Sequence, residues 1–189
     1  METKILVLAS MILMSGNAMF AQKVEVDIKK SSVEWFGKKI GTQHEGNIQL
    51  KSGNLELQDD KIVAGNFVVD MTTITNTDLE NENYNQKLVG HLKSDEFFGV
   101  EKYPLANFEV TQSSTFSNGK ATFSGDITIK GKTESISFEV IKAGKEYSAK
   151  ISIDRSKFDV RYGSDSFFDN LGDKAIDDIF TLDIKLVVI

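Results

Sequence analysis

Apolar and polar residues alternate along most of this chain with a period of two residues. Val24, Val26 and Ile28 are separated by charged residues, and Phe108 and Val110 flank Glu109. Because consecutive side chains of a β-strand point to opposite faces, this pattern describes a sheet with one apolar face and one wet face. Parallel sheets are buried on both faces and rarely alternate in this way. The sequence therefore predicts a mainly β, antiparallel protein.

Turn signals separate the alternating segments. Ser117-Asn118-Gly119, Lys130-Gly131-Lys132 and Ala143-Gly144-Lys145 have the residues of tight hairpin turns. Eight or more strands with such short links predict a closed barrel or a sandwich. The run of hairpins between residues 106 and 154 favours an up-and-down barrel of eight strands.

A short helical segment is predicted around residues 77–98, where the alternation stops. Thr77 and Glu80 have the spacing of a capping box. A glycine inside a helix costs about 1 kcal/mol relative to alanine, so the helix is predicted to break at Gly90. Its apolar face is predicted to consist of three residues spaced four apart: Tyr84, Leu88 and Leu92.

Residues 1–21 are predicted to be a cleaved signal peptide. The apolar run 5–14 has the length of a signal-peptide core and is too short to span a bilayer. Small residues follow it, so cleavage is expected after Ala21 or, alternatively, after Ala18. The other interpretation is an uncleaved membrane anchor. With cleavage, residues 22–189 form one domain that is periplasmic or secreted.

Charge and motif content exclude several function classes. The net charge is −6 without a basic run, so nucleic acid is not an expected partner. There is no cysteine, and the acidic run 169–178 lacks the spacing of a calcium loop. No serine-hydrolase elbow, phosphate-binding loop or dinucleotide fingerprint occurs. We therefore predict no catalytic residue, no metal and no cofactor.

Two polar residues fall on predicted inward faces. His44 shares its face with Ile48, and it is either a core histidine bonded to a carbonyl group or a contact for a ligand's head group. Arg155 continues the inward face of the strand before it. A buried arginine needs a partner, so we expect it to close one barrel end against Asp154, Asp159 or Asp70.

The aromatic content is unusual, with 13 Phe against one Trp and four Tyr. Some of these rings fall on inward strand positions, as in a core or a cavity wall. Two adjacent pairs, Phe97-Phe98 and Phe167-Phe168, lie outside the strand pattern. Each pair is predicted either to anchor a loop onto the core or to stand at a cavity mouth, where it meets a lipid or gates its entrance.

Three glycines share the predicted inward faces: Gly46, Gly65 and Gly125. Glycines there either leave room for a cavity or mark the bulges and bends that close a barrel. An eight-stranded barrel is just wide enough to be filled by side chains or to hold one small ligand. Alternation alone does not distinguish an interior filled by side chains from one that holds a ligand.

Several motifs occur in a characteristic order, and together they resemble the YceI-like family of secreted polyisoprenoid-binding proteins. The resemblance covers about Val24 to Ile189. Its most specific part runs from Gly90-His91-Leu92-Lys93-Ser94 through Phe97-Phe98 to Lys102-Tyr103-Pro104. The other motifs are His44-Glu45-Gly46, Phe67-Val68-Val69-Asp70-Met71, Gly125-Asp126-Ile127-Thr128-Ile129-Lys130-Gly131-Lys132-Thr133 and Ile153-Asp154-Arg155-Ser156.

The resemblance implies a lipocalin-like, extended eight-stranded barrel that binds lipid without catalysis. The ligand would be a long isoprenoid chain of quinone or polyprenyl type, held for transport or storage by a monomer or homodimer that contacts membranes transiently. Leu88, Leu92 and Phe97 would close one end. The predicted ligand-binding residues are Trp35, His44, Phe67, Val69, Leu88, Leu92, Phe97, Phe108, Phe123, Ile127, Phe138 and Ile151.

Two other functions remain open at this point. One is an envelope enzyme that uses His44 or His91 with a carboxylate as a base. The other is a packed barrel that serves as a stress or interaction module.

Overall fold

The computed structural model describes residues 21–59 and 61–189, so the predicted signal peptide lies outside the described residues except for Ala21. Nine strands and one α-helix make up the described chain, with three short 3-10 turns. In chain order these are β1 Gln22–Glu25, β2 Ser32–Lys39, β3 Thr42–Gln58, β4 Lys61–Asp70, α1 Glu82–Lys93, β5 Leu105–Ser113, β6 Lys120–Ile129, β7 Lys132–Ala143, β8 Glu146–Asp154 and β9 Ile179–Val187. The 3-10 turns are Met71–Thr73, Arg155–Phe158 and Gly172–Lys174.

Strands β2 to β9 form a closed antiparallel barrel. Each strand pairs with the next in sequence, and β9 pairs with β2 from Phe36↔Thr181 to Ser32↔Lys185. The ninth strand, β1, pairs with the second half of the 17-residue β3, beyond the part that β2 covers. The predicted eight-stranded barrel is therefore confirmed, with one additional strand.

The two barrel ends differ in their connections. At one end, the hairpin end, short turns join β3 to β4 and β7 to β8, and residues 114–119 join β5 to β6. At the other end, the loop end, lie α1 and the long connections 71–104 and 155–178. The β6–β7 hairpin also turns at the loop end, through Lys130 and Gly131, both with positive φ. Most of the connecting segments that could form a site therefore lie at the loop end.

The helix begins later than the sequence predicts. Its N-cap is Asn81, whose side chain accepts hydrogen bonds from the backbone N–H groups of Asn83 and Tyr84. The predicted capping box is wrong, because the Thr77 hydroxyl instead donates to the carbonyl of Glu45 on β3. Residues 73–77 lie alongside β3 in this way, so tertiary hydrogen bonds replace the helical turn.

The helix also differs from its predicted shape. Gly90 lies within α1 and does not break it. Leu92 is buried and Leu88 packs against the core, whereas the Tyr84 side chain is largely exposed. The apolar contact of α1 is therefore restricted to its C-terminal half.

The barrel interior contains two apolar clusters, one towards each end. The loop-end cluster includes Trp35, Leu92 and Phe97. The hairpin-end cluster includes Leu55 and Ile62, which are almost completely inaccessible. Leu50, Phe108, Phe138 and Ala149 are partly buried and pack against both clusters. The two clusters are thus joined across the middle of the barrel by side chains that are not fully covered.

The three inward glycines do not contribute empty space. A Cβ atom at Gly46 would lie 1.9 Å from the carbonyl oxygen of Thr75, and one at Gly125 would lie 2.2 Å from that of Glu109. At Gly65 the nearest atom is a Leu55 methyl group. Gly125 also pairs beside a β-bulge of β5. The interpretation that these glycines leave room for a cavity is therefore wrong: a bulge lies beside Gly125, and at Gly46 the reason is a close backbone approach that the sequence did not predict.

We expect Gly46→Ala to lower the free energy of unfolding by about 2–3 kcal/mol, since the new methyl group must displace backbone. Gly90→Ala is the matched control. No atom lies within 4 Å of a Cβ at Gly90, so this variant should be about 0.5–1 kcal/mol more stable through helix propensity. Urea unfolding followed by Trp35 fluorescence measures both. Equal effects of the two substitutions would contradict the close approach at Gly46.

Candidate functional site

The barrel encloses a cavity of about 190 Å³ that extends between the two apolar clusters. Its wall is almost entirely hydrocarbon; the few polar residues among the lining include Asn107 and Arg155. An engineered cavity of about 150 Å³ with a Leu, Ile and Phe lining stays dry and binds benzene. Ten of the predicted ligand-binding residues lie in this wall: Trp35, Phe67, Val69, Leu92, Phe97, Phe108, Phe123, Ile127, Phe138 and Ile151.

The cavity is long compared with its volume. On β6 the lining residues run from Phe123 to Ile129, which corresponds to about 20 Å of strand. The same wall reaches Tyr147 at the hairpin end and Arg155 at the loop end. A narrow apolar space of this length fits an extended hydrocarbon chain better than a compact polar ligand.

Phenylalanine rings form a continuous strip along this wall. The ring centroids of Phe67 and Phe108 are 6.3 Å apart, those of Phe108 and Phe138 are 5.4 Å apart, and those of Phe138 and Phe123 are 6.4 Å apart. These distances lie within the range of attractive aromatic contacts. Because phenylalanine has no polar group, the strip supplies apolar contact without requiring a hydrogen-bond partner.

The single tryptophan has its polar group satisfied away from the cavity. The indole N–H of Trp35 donates a 2.9 Å hydrogen bond to the carbonyl of Thr75. The ring itself lines the cavity and is nearly buried. Since the chain has one Trp, its fluorescence reports on this wall alone.

The first phenylalanine pair packs into the core below the loop end. Phe97 and Phe98 are buried with their ring centroids 5.1 Å apart in an edge-to-face arrangement. The Lys130 ammonium group fixes this segment by donating to the carbonyls of Asp95 (3.1 Å), Phe97 (2.7 Å) and Asp159 (3.2 Å). Sequence reasoning identified Lys130 only as a hairpin residue and missed this role.

The second phenylalanine pair behaves differently. Phe167 and Phe168 are both exposed, and the Arg161 guanidinium lies 4.9 Å from the Phe167 ring centroid. The two similar sequences therefore form different structures, one packed into the core and one on the surface. A contact between the second pair and a membrane or ligand stays a prediction.

Arg155 is buried at the loop end of the cavity, with 2% of its surface exposed. Its ion-pair partner is Asp178, at 3.3 Å, which the sequence did not predict. Of the predicted partners, Asp154 contributes a favourable charge interaction, whereas Asp159 pairs with Arg161 and Asp70 bonds to Thr72. Asp178 follows a long connection that sequence spacing could not place. The guanidinium donates four further hydrogen bonds of 2.8–3.0 Å to the carbonyls of Val160, Tyr162, Ile176 and Asp177.

Four of the five N–H groups of Arg155 thus donate to backbone carbonyls, and the guanidinium also forms an ion pair with Asp178. Burial lowers the pKa of Arg155, and the neighbouring carboxylates of Asp178, Asp154 and Asp177 oppose that shift. The buried guanidinium is instead a structural tie, because its four carbonyl partners all belong to the connection 155–178. Arg155 therefore fixes the cover of the loop end.

The structure places His44 outside the cavity wall, although its strand position is inward as predicted. Its neighbours on that face, Gly46 and Ile48, are buried, and its cross-strand partner Gly37 lines the cavity, but His44 itself does not. The imidazole Nδ1 shares a 2.8 Å hydrogen bond with Asp78. His44 is half-buried and bonds to a carboxylate, so the predicted core histidine bonded to a carbonyl group is wrong. A contact between His44 and a ligand's head group stays a prediction.

Two more predicted residues lie beside the cavity and not in its wall. Leu88 packs against the loop-end cluster from α1. His91 contacts the Tyr162 ring at 4.3 Å between centroids, and its Nδ1 is 3.8 Å from Glu96. His44 and His91 thus have different partners and do not form one site. Among residues 21–59 and 61–189, no group of three or more His, Asp or Glu side chains is arranged to hold a metal ion.

Comparison with known proteins agrees with this geometry. The model of the YceI-like domain matches residues 24–188. A UPF0312 protein of Pseudomonas putida is 28% identical over 142 residues, which cover 74% of this chain and 71% of that protein.

Two solved structures share the fold. Burkholderia cenocepacia BcnA has 24% identity and a TM-score of 0.63, over 86% of this chain and 98% of that one. A polyisoprenoid-binding domain from Saccharophagus degradans, implicated in plant cell wall breakdown, has 13% identity and a TM-score of 0.60, over 87% of this chain and 97% of that one. In the part of the chain that the structure describes, no helix has the length and apolarity needed to cross a membrane.

The Asp78 carboxylate gives a pH-dependent prediction. Burial raises its pKa, but hydrogen bonds from the Glu45 backbone N–H, His44 and Asn76 outweigh burial and hold the pKa below 3.8. The charged carboxylate therefore stabilises the fold above pH 3.8, and this contribution is lost as the pH falls below that value.

Asp78→Ala should lower the free energy of unfolding by about 1–2 kcal/mol at neutral pH. The difference from the wild-type protein should shrink as the pH falls below 3.8, where the carboxyl becomes protonated in both states. Urea unfolding at a series of pH values measures it. A difference that stays constant into strong acid would contradict the assigned role of the carboxylate.

Proposed function

We propose, since the chain belongs to the YceI-like family, that it is a non-enzymatic carrier that holds a long isoprenoid chain inside its barrel. The observation that supports this most directly is the long, almost entirely hydrocarbon cavity with its strip of phenylalanine rings. The Saccharophagus degradans domain, described as polyisoprenoid-binding, shares the fold. The chain would lie along the wall from the Trp35 region towards Phe123.

Burial of apolar surface supplies the affinity in this proposal. Each square ångström of hydrocarbon removed from water contributes about 25 cal/mol, so a chain of several isoprene units needs no charged contact. The cavity wall offers little else, because Trp35 donates its N–H to Thr75 and Arg155 donates to backbone carbonyls. Selectivity would therefore follow from the length and width of the chain, with the head group near a cavity opening. Quinone and polyprenyl head groups both meet this requirement.

The same observations weigh against the two other functions considered. The enzyme alternative needs a histidine base beside bound substrate, but His44 and His91 both lie outside the cavity wall. The packed module needs a filled interior, but side chains in the middle of the barrel leave a cavity. The non-enzymatic carrier is therefore the function that the geometry favours.

We further propose that the protein is exported and acts in the periplasm or outside the cell. The support is the apolar run 5–14, followed by small residues up to Ala21. A lipid that is insoluble in water requires such a carrier where it must pass between membranes. The mass of the mature protein isolated from its own host distinguishes cleavage after Ala21 from cleavage after Ala18 and from an uncleaved chain.

The direct test is extraction of the natively purified protein. We expect mass spectrometry to find an isoprenoid lipid in near-stoichiometric amount, because returning an apolar chain from a hydrocarbon wall to water is unfavourable. A preparation unfolded and refolded without lipid is the control, and it should take up solanesol. If the native protein carries no lipid and the refolded protein takes up no solanesol, the proposed function is wrong.

A matched pair of variants tests the location of the ligand. Val69 lines the cavity, whereas its neighbour Val68 points to the outer face of β4. Val69→Phe should fill part of the cavity and weaken retinol binding about tenfold, a change of about 1.4 kcal/mol. Val68→Phe should leave binding unchanged. Energy transfer from Trp35 to retinol measures both affinities, and equal affinities would place the ligand elsewhere.

A further inference from the structure

The barrel wall is incompletely hydrogen-bonded between β7 and β8. Within the described chain these strands pair only beside their hairpin, from Ala143↔Glu146 to Ile141↔Ser148. On its other edge β7 pairs with β6 along almost all of its length, from Ile129↔Lys132 to Lys120↔Ile141. Strand β8 is likewise paired with β9 throughout, from Glu146↔Val187 to Asp154↔Ile179. The facing edges of 132–140 and 149–154 are therefore left without a partner strand.

This unpaired region is closed at both ends. At one end is the β7–β8 hairpin. At the other, Lys130 donates to the Asp159 carbonyl at 3.2 Å, and the Lys132 ammonium group lies 4.0 Å from the Asp159 carboxylate. Asp159 is itself held in the left-handed conformation, with φ of 60°. We call the region between these two closures the β7–β8 window.

The window opens onto the cavity. Ile136 and Phe138 on β7, and Ala149 on β8, line the cavity yet are only partly buried. The direct cross-strand partner of Phe138 on the closed side is Phe123, which is 4% exposed. Inward side chains of both unpaired edges therefore form part of the cavity wall. Further along the same edges Val140, Ile151 and Ile153 are buried.

Keeping such a window has a cost. Unpaired backbone N–H and C=O groups must be solvated, and open strand edges invite unwanted pairing, which closed barrels normally avoid. The outward residues in the middle of the window are small and uncharged, namely Ser137 on β7 and Ser152 on β8, with the charged Glu139 and Lys150 nearer the hairpin. No bulky or charged side chain at these two positions obstructs the approach of an apolar chain.

The barrel ends offer poorer routes. The loop end is covered by the buried Phe97-Phe98 pair and by the connection that Arg155 ties down. At the hairpin end Ile62 is completely inaccessible, and the Ser113 hydroxyl donates to its carbonyl. Passage through either end requires buried side chains and their hydrogen bonds to be displaced. Widening of the unpaired edge breaks no ladder hydrogen bond between β7 and β8.

We propose that the β7–β8 window is a lateral entrance through which an apolar chain passes sideways into the cavity. This rests on the proposed lipid-binding function and adds the route of loading and release. An unbranched or prenyl chain would slide between Phe138 and Ala149 along its length, while its polar head group stays outside. The route avoids threading a long flexible chain end-first through a covered opening.

Crosslinking across the window tests this route. The register of Ile141↔Ser148, continued along both strands, places Ser137 opposite Ser152. The chain has no cysteine, so Ser137→Cys with Ser152→Cys introduces the only two thiols. A short bis-maleimide then bridges the window, and intact mass confirms the bridge. The matched control is Ser124→Cys with Ser137→Cys, because Ser124 and Ser137 are already paired, with their hydroxyl oxygens 3.0 Å apart.

Retinol uptake followed through Trp35 is measured for each variant before and after crosslinking. We expect the window crosslink to slow uptake and release at least tenfold while the final amount bound stays the same. The control crosslink should leave the rates unchanged. Each variant before crosslinking serves as its own reference for correct folding.

Each other outcome is decisive. If the window crosslink leaves the rates unchanged, chains enter through a barrel end and the lateral entrance is wrong, although the carrier function stands. If both crosslinks slow uptake equally, general stiffening of β7 explains the effect and the entrance is again wrong. If the uncrosslinked variants and the wild-type protein bind no retinol or solanesol, the proposed function itself fails.

Discussion

Closure of the sheet by the pairing of β9 with β2 is the constraint on which the rest of the structure depends. Once Trp35 lies opposite Leu182, the inward faces of eight strands enclose one interior. The apolar residues of every strand then point into that interior. An open sheet with the same pattern would have to cover its apolar face with another layer. Here the apolar face of each strand is covered by the opposite wall of the same barrel, and a cavity of about 190 Å³ remains along the middle.

The apolar interior depends on polar groups that are satisfied at its edge. Arg155 donates to carbonyls of the connection that covers the loop end, Lys130 does the same for the segment of Phe97, and Trp35 donates to Thr75. A buried donor or acceptor without a partner costs about 1–3 kcal/mol. Because these donors are engaged with backbone, they stabilise the covers without making the cavity polar. The result is a wall suited to hydrocarbon.

The predictions that followed from local patterns were the most accurate. Alternation and hairpin residues predicted the barrel, and strand parity placed Phe67, Phe108, Phe123 and Phe138 in its wall. The errors arose where a residue's partner is distant in sequence. Arg155 binds Asp178, and the Thr77 hydroxyl binds a β3 carbonyl and does not cap a helix.

The sequence by itself determined that this chain forms antiparallel strands with phenylalanine on their inward faces, and it favoured a barrel over a sandwich, because alternation and turn residues act over two to four positions. Only the tertiary structure decided what occupies each inward position. The space beside Gly46 and Gly125 is filled by backbone from other elements, and the ring of His44 is taken up by Asp78. The short pairing of β7 with β8 beside Phe138 is likewise encoded by no local pattern. Such features depend on distances between elements, and these are set only when the barrel closes.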